Sequence, residues 1–277
     1  MNCFIKIKSC SFPKLSKDIS NFYTHDKILY RKCNKCNLIF QHPINKNEYK
    51  KIYSKNYYDS DYNKKIETKL YLQRKAQYKL DSLYIKKYFQ DSENKKILDF
   101  GCGNGEFLQC FKSKKFGFEI NKSIVPKKNI TYVNYNTLRN KKFDLIIMRG
   151  SIEHLPNPLF VLNKICKLIK KNGYLFITAT PGSKNIAMFL DSKNFNQNKK
   201  EHIYHFDHVN LSIILLRYFL FNISIDFQYY KTPYMNIKND YIEQKKSLKK
   251  FYNKKNYKPK HYASPGNMMT LIYKKMK

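Results

Sequence analysis

Ile97-Leu98-Asp99-Phe100-Gly101-Cys102-Gly103-Asn104-Gly105 is the stretch whose reading decides the fold. A short apolar run ends in an acid, and glycines follow at alternate positions before the pattern turns helical at Glu106–Lys112. A strand that runs into such a turn exposes bare backbone amides, because glycine allows a tight bend and leaves no Cβ in the path of a ligand. The next apolar run, Lys115–Glu119, also ends in an acid, and an acid there can accept both hydroxyls of a ribose.

Working outward, Phe143–Met148 reads as a buried strand, followed by a helix from Pro158 to Lys171 and a strand over Gly173–Ala179. Ile130–Tyr135 is a further strand candidate, and Leu211–Phe221 returns to helical spacing before late strands at Asn222–Tyr229 and Met268–Tyr273. Upstream, Ile66, Leu70, Leu72, Ala76, Leu80, Leu83 and Tyr84 recur at helical spacing, which predicts a long amphipathic helix over 65–90. Strands alternating with helices imply an α/β domain with a mostly parallel sheet covered on both faces. The chain divides into a Cys-containing segment at 1–45, a linker and helix at 46–94, and the α/β domain at 95–277.

In order and spacing these stretches resemble the motifs of class I S-adenosylmethionine-dependent methyltransferases. ILDFGCGNGEFL is similar to the first motif, FGFEIN (116–121) to the second, FDLIIMRGSIEHLPNP (143–158) to the fourth, and KLIKKNGYLFITATP (167–181) to the helix and strand that follow. The resemblance covers about Lys95 to Pro181. It implies a Rossmann-like seven-stranded sheet, mostly parallel with the last strand antiparallel. It also implies S-adenosylmethionine as cofactor, held by Asp99, the Gly101, Cys102, Gly103 and Gly105 backbone, Glu119, Ile120, Arg149 and Glu153. Asn134-Tyr135-Asn136 stands where many relatives carry an acid for the adenine amine, a departure from the family pattern. Dehydrogenases share a Gly-rich turn, but their Gly-x-Gly-x-x-Gly spacing puts the third glycine one position later than Gly105.

Methyl transfer from a sulfonium needs alignment of the acceptor, and a hydroxyl acceptor also needs a base. Glu153-His154 and the cluster Glu201-His202-Ile203-Tyr204-His205-Phe206-Asp207-His208 supply candidates, with His154 or His202 as the base. Either histidine is equally suited to a structural hydrogen bond, and His202 with His205 lacks a set of partners that would make a metal site.

Cys33-Asn-Lys-Cys36, followed by Asn-Leu-Ile-Phe-Gln-His-Pro, resembles a Cys-x-x-Cys segment that precedes some methyltransferase domains in sugar and polysaccharide pathways. With Cys3 and Cys10 these thiols make up the donor set of a tetrahedral structural zinc site, or of a degenerate one that folds without zinc. The resemblance points to a small-molecule or glycan acceptor, such as a sugar or sugar nucleotide of a surface polysaccharide.

The formal net charge of +34 raises nucleic acid as a rival partner. Of the 54 basic residues, however, only five are Arg (31, 74, 139, 149 and 217), and Arg dominates phosphate and base recognition. Abundant Lys, Asn, Ile and Tyr without Trp read as a compositional bias that coats the surface in lysine. An RNA methyltransferase is one competing reading, and a binding protein with a relict cofactor fold is the other. No apolar stretch reaches the roughly 18 residues of a membrane span, and Lys6 and Lys8 interrupt any secretory signal, so a cytoplasmic location is expected.

Overall fold

The computed structural model describes residues 19–25, 27–44, 69–122, 124–125, 127–183, 190, 201–228, 231–253, 262 and 268–277. Cys3 and Cys10 lie outside them, as does the start of the expected helix over 65–68.

Near the N-terminus, β1 (Ile19–His25), β2 (Ile28–Cys33) and β3 (Ile39–Gln41) form an antiparallel meander. Helix α1 (Lys69–Lys86) follows, then β4 (Lys96–Phe100), β5 (Lys114–Phe118), β6 (Thr131–Val133), α2 (Tyr135–Leu138) and β7 (Phe143–Arg149). Next come α3 (Pro158–Ile165), β8 (Ile169–Pro181), β9 (Tyr204–His205) and α4 (His208–Leu216). The chain ends with β10 (Leu220–Asp226), α5 (Ile237–Asn253) and β11 (Met268–Lys275).

Seven strands form the main sheet in the order β10-β11-β8-β7-β4-β5-β6. The pairs from β8 to β6 are parallel, while β11 is antiparallel to both its neighbours. The expected Rossmann-like arrangement, with its antiparallel last strand, is what the chain adopts. Alternate strand residues face opposite sides. Leu98, Ile146 and Ile177 pack in one buried cluster with Leu162 of α3 and Leu211 of α4. Ile97, Leu145 and Phe176 pack in another with Tyr78 of α1 and Phe107. Both faces are therefore covered, as continuous apolar strands require.

Besides α1, which ends at Lys86 rather than Gln90, three expected helices are shorter than their periodicity suggested, and each of these three has a local cause. The helix predicted at Glu106–Lys112 is a single 3-10 turn, Phe107–Cys110. The chain must return to β5 at Lys114, and Asp91 clamps the amides of Lys112 and Ser113 to make it do so. The helix from Pro158 stops at Ile165, and Lys170–Asn172 make a bulge within β8, with Asn172 at φ +62°. The helix read at Leu211–Phe221 begins earlier, at His208. There Asp207 and Asn210 exchange backbone and side-chain bonds as a capping box, and Phe219 at φ +58° marks its end.

The small sheet was not foreseen. Its fourth strand is β9, so the order is β1-β2-β3-β9. Ile39 opposes His205 and Phe40 opposes Tyr204. Cys33, Cys36, Leu38 and Phe40 belong to the same buried cluster as Leu98 and Leu211. The Cys33–Cys36 knuckle is closed by the Asn37 amide donating to Cys33 O at 2.8 Å and the Cys33 amide donating to Leu38 O at 2.9 Å.

Candidate active site

The carboxyl ends of β4, β5 and β7 meet at one edge of the main sheet. Gly101 stands at φ +87° and Gly103 at φ +54°, both in the left-handed region that favours glycine. A Cβ on Gly101 would come 2.9 Å from Ser151 Cβ, so the loop after β4 lies directly against the loop after β7. The amides of Gly101 and Cys102 both donate to Phe118 O, at 2.8 and 3.1 Å, which folds the turn over the end of β5.

Gly103 is held from both sides. Its amide donates to Glu119 Oε2 at 3.0 Å, and its carbonyl accepts from Tyr132 Oη at 2.9 Å. Glu119 Oε1 accepts the amides of Ile120 and Asn121 at 2.8 and 2.9 Å. The acid singled out in the sequence thus sits against the Gly-rich loop, beside the exposed Ile120. Cys102 is buried, and burial raises its thiol pKa, which keeps it neutral. Tyr132 was not singled out in the sequence, and nothing in the local pattern marks it.

Asp99 is buried, and its Oδ1 has no hydrogen-bond partner among the described residues; the same holds for Ser151 Oγ. Burial pushes the Asp99 carboxyl up to about 7, Arg149 draws it back and Glu119 adds to the rise. A buried carboxylate oxygen with nothing to accept from marks a place for an outside donor. These orphaned atoms and the glycine cradle fit an adenosyl amino acid with an ammonium and ribose hydroxyls.

Arg149, at the end of β7, donates from Nε to Asp81 Oδ2 at 2.9 Å. Its guanidinium lies 4.6 Å from the Tyr78 ring centre and 5.7 Å from that of Phe107. The Asp81 carboxyl is raised by desolvation despite this partner, and Gln77 Nε2 donates to its second oxygen at 2.8 Å. Arg149 therefore ties α1 to the site edge. Asp81 was missed in the sequence, although it is the sole acid in the helix segment Lys69–Lys86.

The two histidine clusters, far apart in sequence, are one cluster in space. Glu153 and His154 lie on a 3-10 turn, Ile152–His154, and the Ile203 amide donates to Glu153 O at 2.9 Å. His154 Nδ1 is 2.9 Å from Glu201 O. A carbonyl only accepts, so Nδ1 carries the proton, and Nε2 faces Glu153 Oε1 at 3.8 Å. His154 and His202 rings are 4.8 Å apart, while His205 is 6.4 Å beyond His202 and fully buried. Burial lowers the His205 pKa to about 4. The Glu153 carboxyl, pushed up by burial to about 8, accepts from Thr180 Oγ1 at 3.0 Å. Gln41 of β3 donates to His202 O at 3.0 Å, so the small sheet supports this wall.

Donor atoms of Glu153, His154 and His202 lie within 4.8 Å of one another, a set that could also hold a divalent ion after a small contraction. Cys33 and Cys36 are both buried thiols at the knuckle of the small sheet.

The sequence model of a family described as a methyltransferase domain matches residues 72–218. Over 122 residues the chain is 27% identical to a ubiquinone biosynthesis O-methyltransferase of Hydrogenovibrio crunogenus, covering 37% of this chain and 51% of that protein. A protein of the same description from Pelagibacter ubique is 30% identical over 102 residues, 31% of this chain and 42% of its own length. The chain thus spans about half the length of the curated relatives it matches. Among solved structures, a candidate methyltransferase from Bacillus halodurans C-125 shares the fold at TM-score 0.50 and 16% identity, over 72% of this chain and all of that one, 100%.

Proposed function

Because the chain belongs to the methyltransferase-domain family, we propose that it transfers a methyl group from S-adenosylmethionine to a hydroxyl oxygen of a small molecule or glycan. The observation that carries this reading is the joint placement of orphaned Asp99 Oδ1, the Gly101–Gly105 turn and Glu119 at one edge of the sheet. S-adenosylmethionine supplies the electrophilic methyl. In this reading Asp99 and Glu119 bind its polar groups, Gly101, Cys102, Gly103 and Gly105 give it backbone approach, Ile120 and Glu153 border it, and Arg149 positions the edge through Asp81. His154 Nε2 then takes the acceptor proton, and His202 braces the wall beside it.

The names of the curated relatives support oxygen as the acceptor atom. The Cys33–Pro43 segment supports a sugar or sugar nucleotide, by its likeness to enzymes of polysaccharide pathways. Calorimetric titration with S-adenosylmethionine tests the core of the proposal. Glu119→Ala should weaken binding about tenfold or more, since two ribose bonds to a carboxylate are lost. No heat with the parent chain would end the reading.

Asp99 gives the binding a pH signature. Its ionised form is the one that accepts from an ammonium or hydroxyl, and burial pushes its carboxyl up to about 7. Affinity should therefore rise from about pH 6 to pH 8 and then flatten. Asp99→Asn should bind weakly with that rise removed; an unchanged slope in the variant would assign the titration to another group.

The knuckle at Cys33 and Cys36, with Cys3 and Cys10 as partners, is proposed to hold structural zinc. Elemental analysis of purified chain should then find about one equivalent, and Cys33→Ser should lose it. A metal-free, fully folded protein would retire the idea.

A further inference from the structure

We propose that helix α5 docks the protein onto an anionic phospholipid bilayer, with the site-bearing edge of the sheet at the lipid surface. The helix is inverted relative to an ordinary surface helix. Its buried positions are polar, Asp240, Glu243 and Ser247, while Ile237 (55%), Tyr241 (64%) and Tyr252 (75%) stand exposed.

The turn of the helix sorts these side chains. At about 100° per residue, Ile237, Tyr241, Leu248 and Tyr252 fall within an arc of roughly 60°, and Lys238, Lys245 and Lys249 occupy the next arc of similar width. All three lysines are exposed. Phe251 and Ile242, also exposed, lie just outside these arcs. An apolar and aromatic stripe bordered on one side by lysines is the pattern of a helix lying in a membrane interface, with rings at the headgroup level and ammonium groups reaching the phosphates. The charge agrees: a chain of net charge +34 is complementary to an anionic surface. RNA would match the charge and could stack bases on Tyr241 and Tyr252, but it leaves the aliphatic Ile237 and Leu248 of the same stripe unexplained, and the bilayer accounts for all of them.

Position in the fold gives the contact its consequence. β10 is antiparallel to β11, which is antiparallel to β8, so β10 ends at Asp226 on the same edge as Gly101 and Gly150. The chain leaving that edge is pinned to α1. Gln77 donates to Gln228 at 2.9 Å, and Gln73 donates to Pro233 O at 2.8 Å, just before α5 begins. The same helix holds Arg149 through Asp81. Lipid contact by α5 therefore brings the candidate active site to the membrane. An acceptor presented at the bilayer surface follows only if the methyl-transfer reading also holds.

Flotation of the full chain with vesicles tests the docking without reference to catalysis. The parent should float with phosphatidylcholine vesicles containing phosphatidylglycerol and stay behind with pure phosphatidylcholine. The double variant Tyr241→Asp, Tyr252→Asp should partition about tenfold more weakly. Lys114→Gln, Lys171→Gln lowers the net charge by the same amount. Its lysines start β5 and lie near the start of β8, at the opposite edge, and it should float like the parent. Equal losses in both variants would reduce the binding to diffuse attraction and overturn the proposal. So would no flotation of the parent, or parent binding to single-stranded RNA with vesicles ignored. S-adenosylmethionine titration of each variant, unchanged for the tyrosine pair, confirms an intact fold. If instead the parent floats but takes up no S-adenosylmethionine, the methyl-transfer reading fails and the docking stands.

Discussion

A Gly101→Val variant is expected to bind S-adenosylmethionine at least about 100-fold more weakly than the parent while still melting as a folded protein. Two effects add. A β-branched residue at φ +87° carries backbone strain of about 1–3 kcal/mol, and its Cβ would arrive 2.9 Å from Ser151 Cβ, closer than carbon atoms tolerate. The turn can relieve both only by lifting from Phe118, which now accepts the amides of Gly101 and Cys102. That shift moves the backbone that approaches the cofactor and places a branched side chain in its way. Calorimetry reads the affinity, and thermal unfolding reads the fold. Retention of affinity within threefold would show that this turn does not touch the cofactor.

His154→Ala should lower kcat by about 100- to 10,000-fold, the span typical of a lost general base, with cofactor affinity preserved. Glu201 O holds the proton on Nδ1, which makes Nε2 the ring's basic nitrogen, 3.8 Å from Glu153 Oε1. Formation of S-adenosylhomocysteine, measured across a panel of hydroxyl acceptors, gives the rate. Added imidazole should restore part of it, which a purely structural histidine would not allow. If cofactor affinity falls in step with the rate, His154 holds the wall together and does not move the proton.

Much of the fold could be read because the central strands are buried on both faces and so appear as continuous apolar runs. Ile97–Phe100, Phe143–Met148 and Leu175–Ile177 each fall where expected. Boundaries slipped where side-chain bonds to the backbone overrode periodicity, as at Asp91 beside Lys112 and at the Asp207–Asn210 box before α4. The small sheet was hidden for a different reason. β3 is only Ile39–Gln41, and its outer partner, Tyr204–His205, comes from far along the chain. Pairing of such short, distant segments leaves no periodic trace in the sequence. α5 was passed over, although Ile237, Tyr241, Leu248 and Tyr252 do recur at helical spacing; what the sequence did not show is that this face looks outward and the polar one inward.

The site was legible in its parts and not in its assembly. Asp99, the glycines and Glu119 were singled out by motif, and they do meet. That Glu119 also clasps Gly103, that Tyr132 holds the other side of the same peptide, and that Thr180 supports Glu153 all depend on contacts between strands. Glu153-His154 and His202 looked like competing candidates for one task, yet they stand side by side.

The pairing of β3 with β9 sets a rule for anyone recombining this scaffold with a relative. A chimera spliced between residues 44 and 69 would strip Tyr204–His205 of its neighbouring strand and His202 of the amide that holds its carbonyl. The head and that distant loop must be exchanged as a unit, and swapping them together leaves the Gly103–Glu119 clasp at the ends of β4 and β5 as it is.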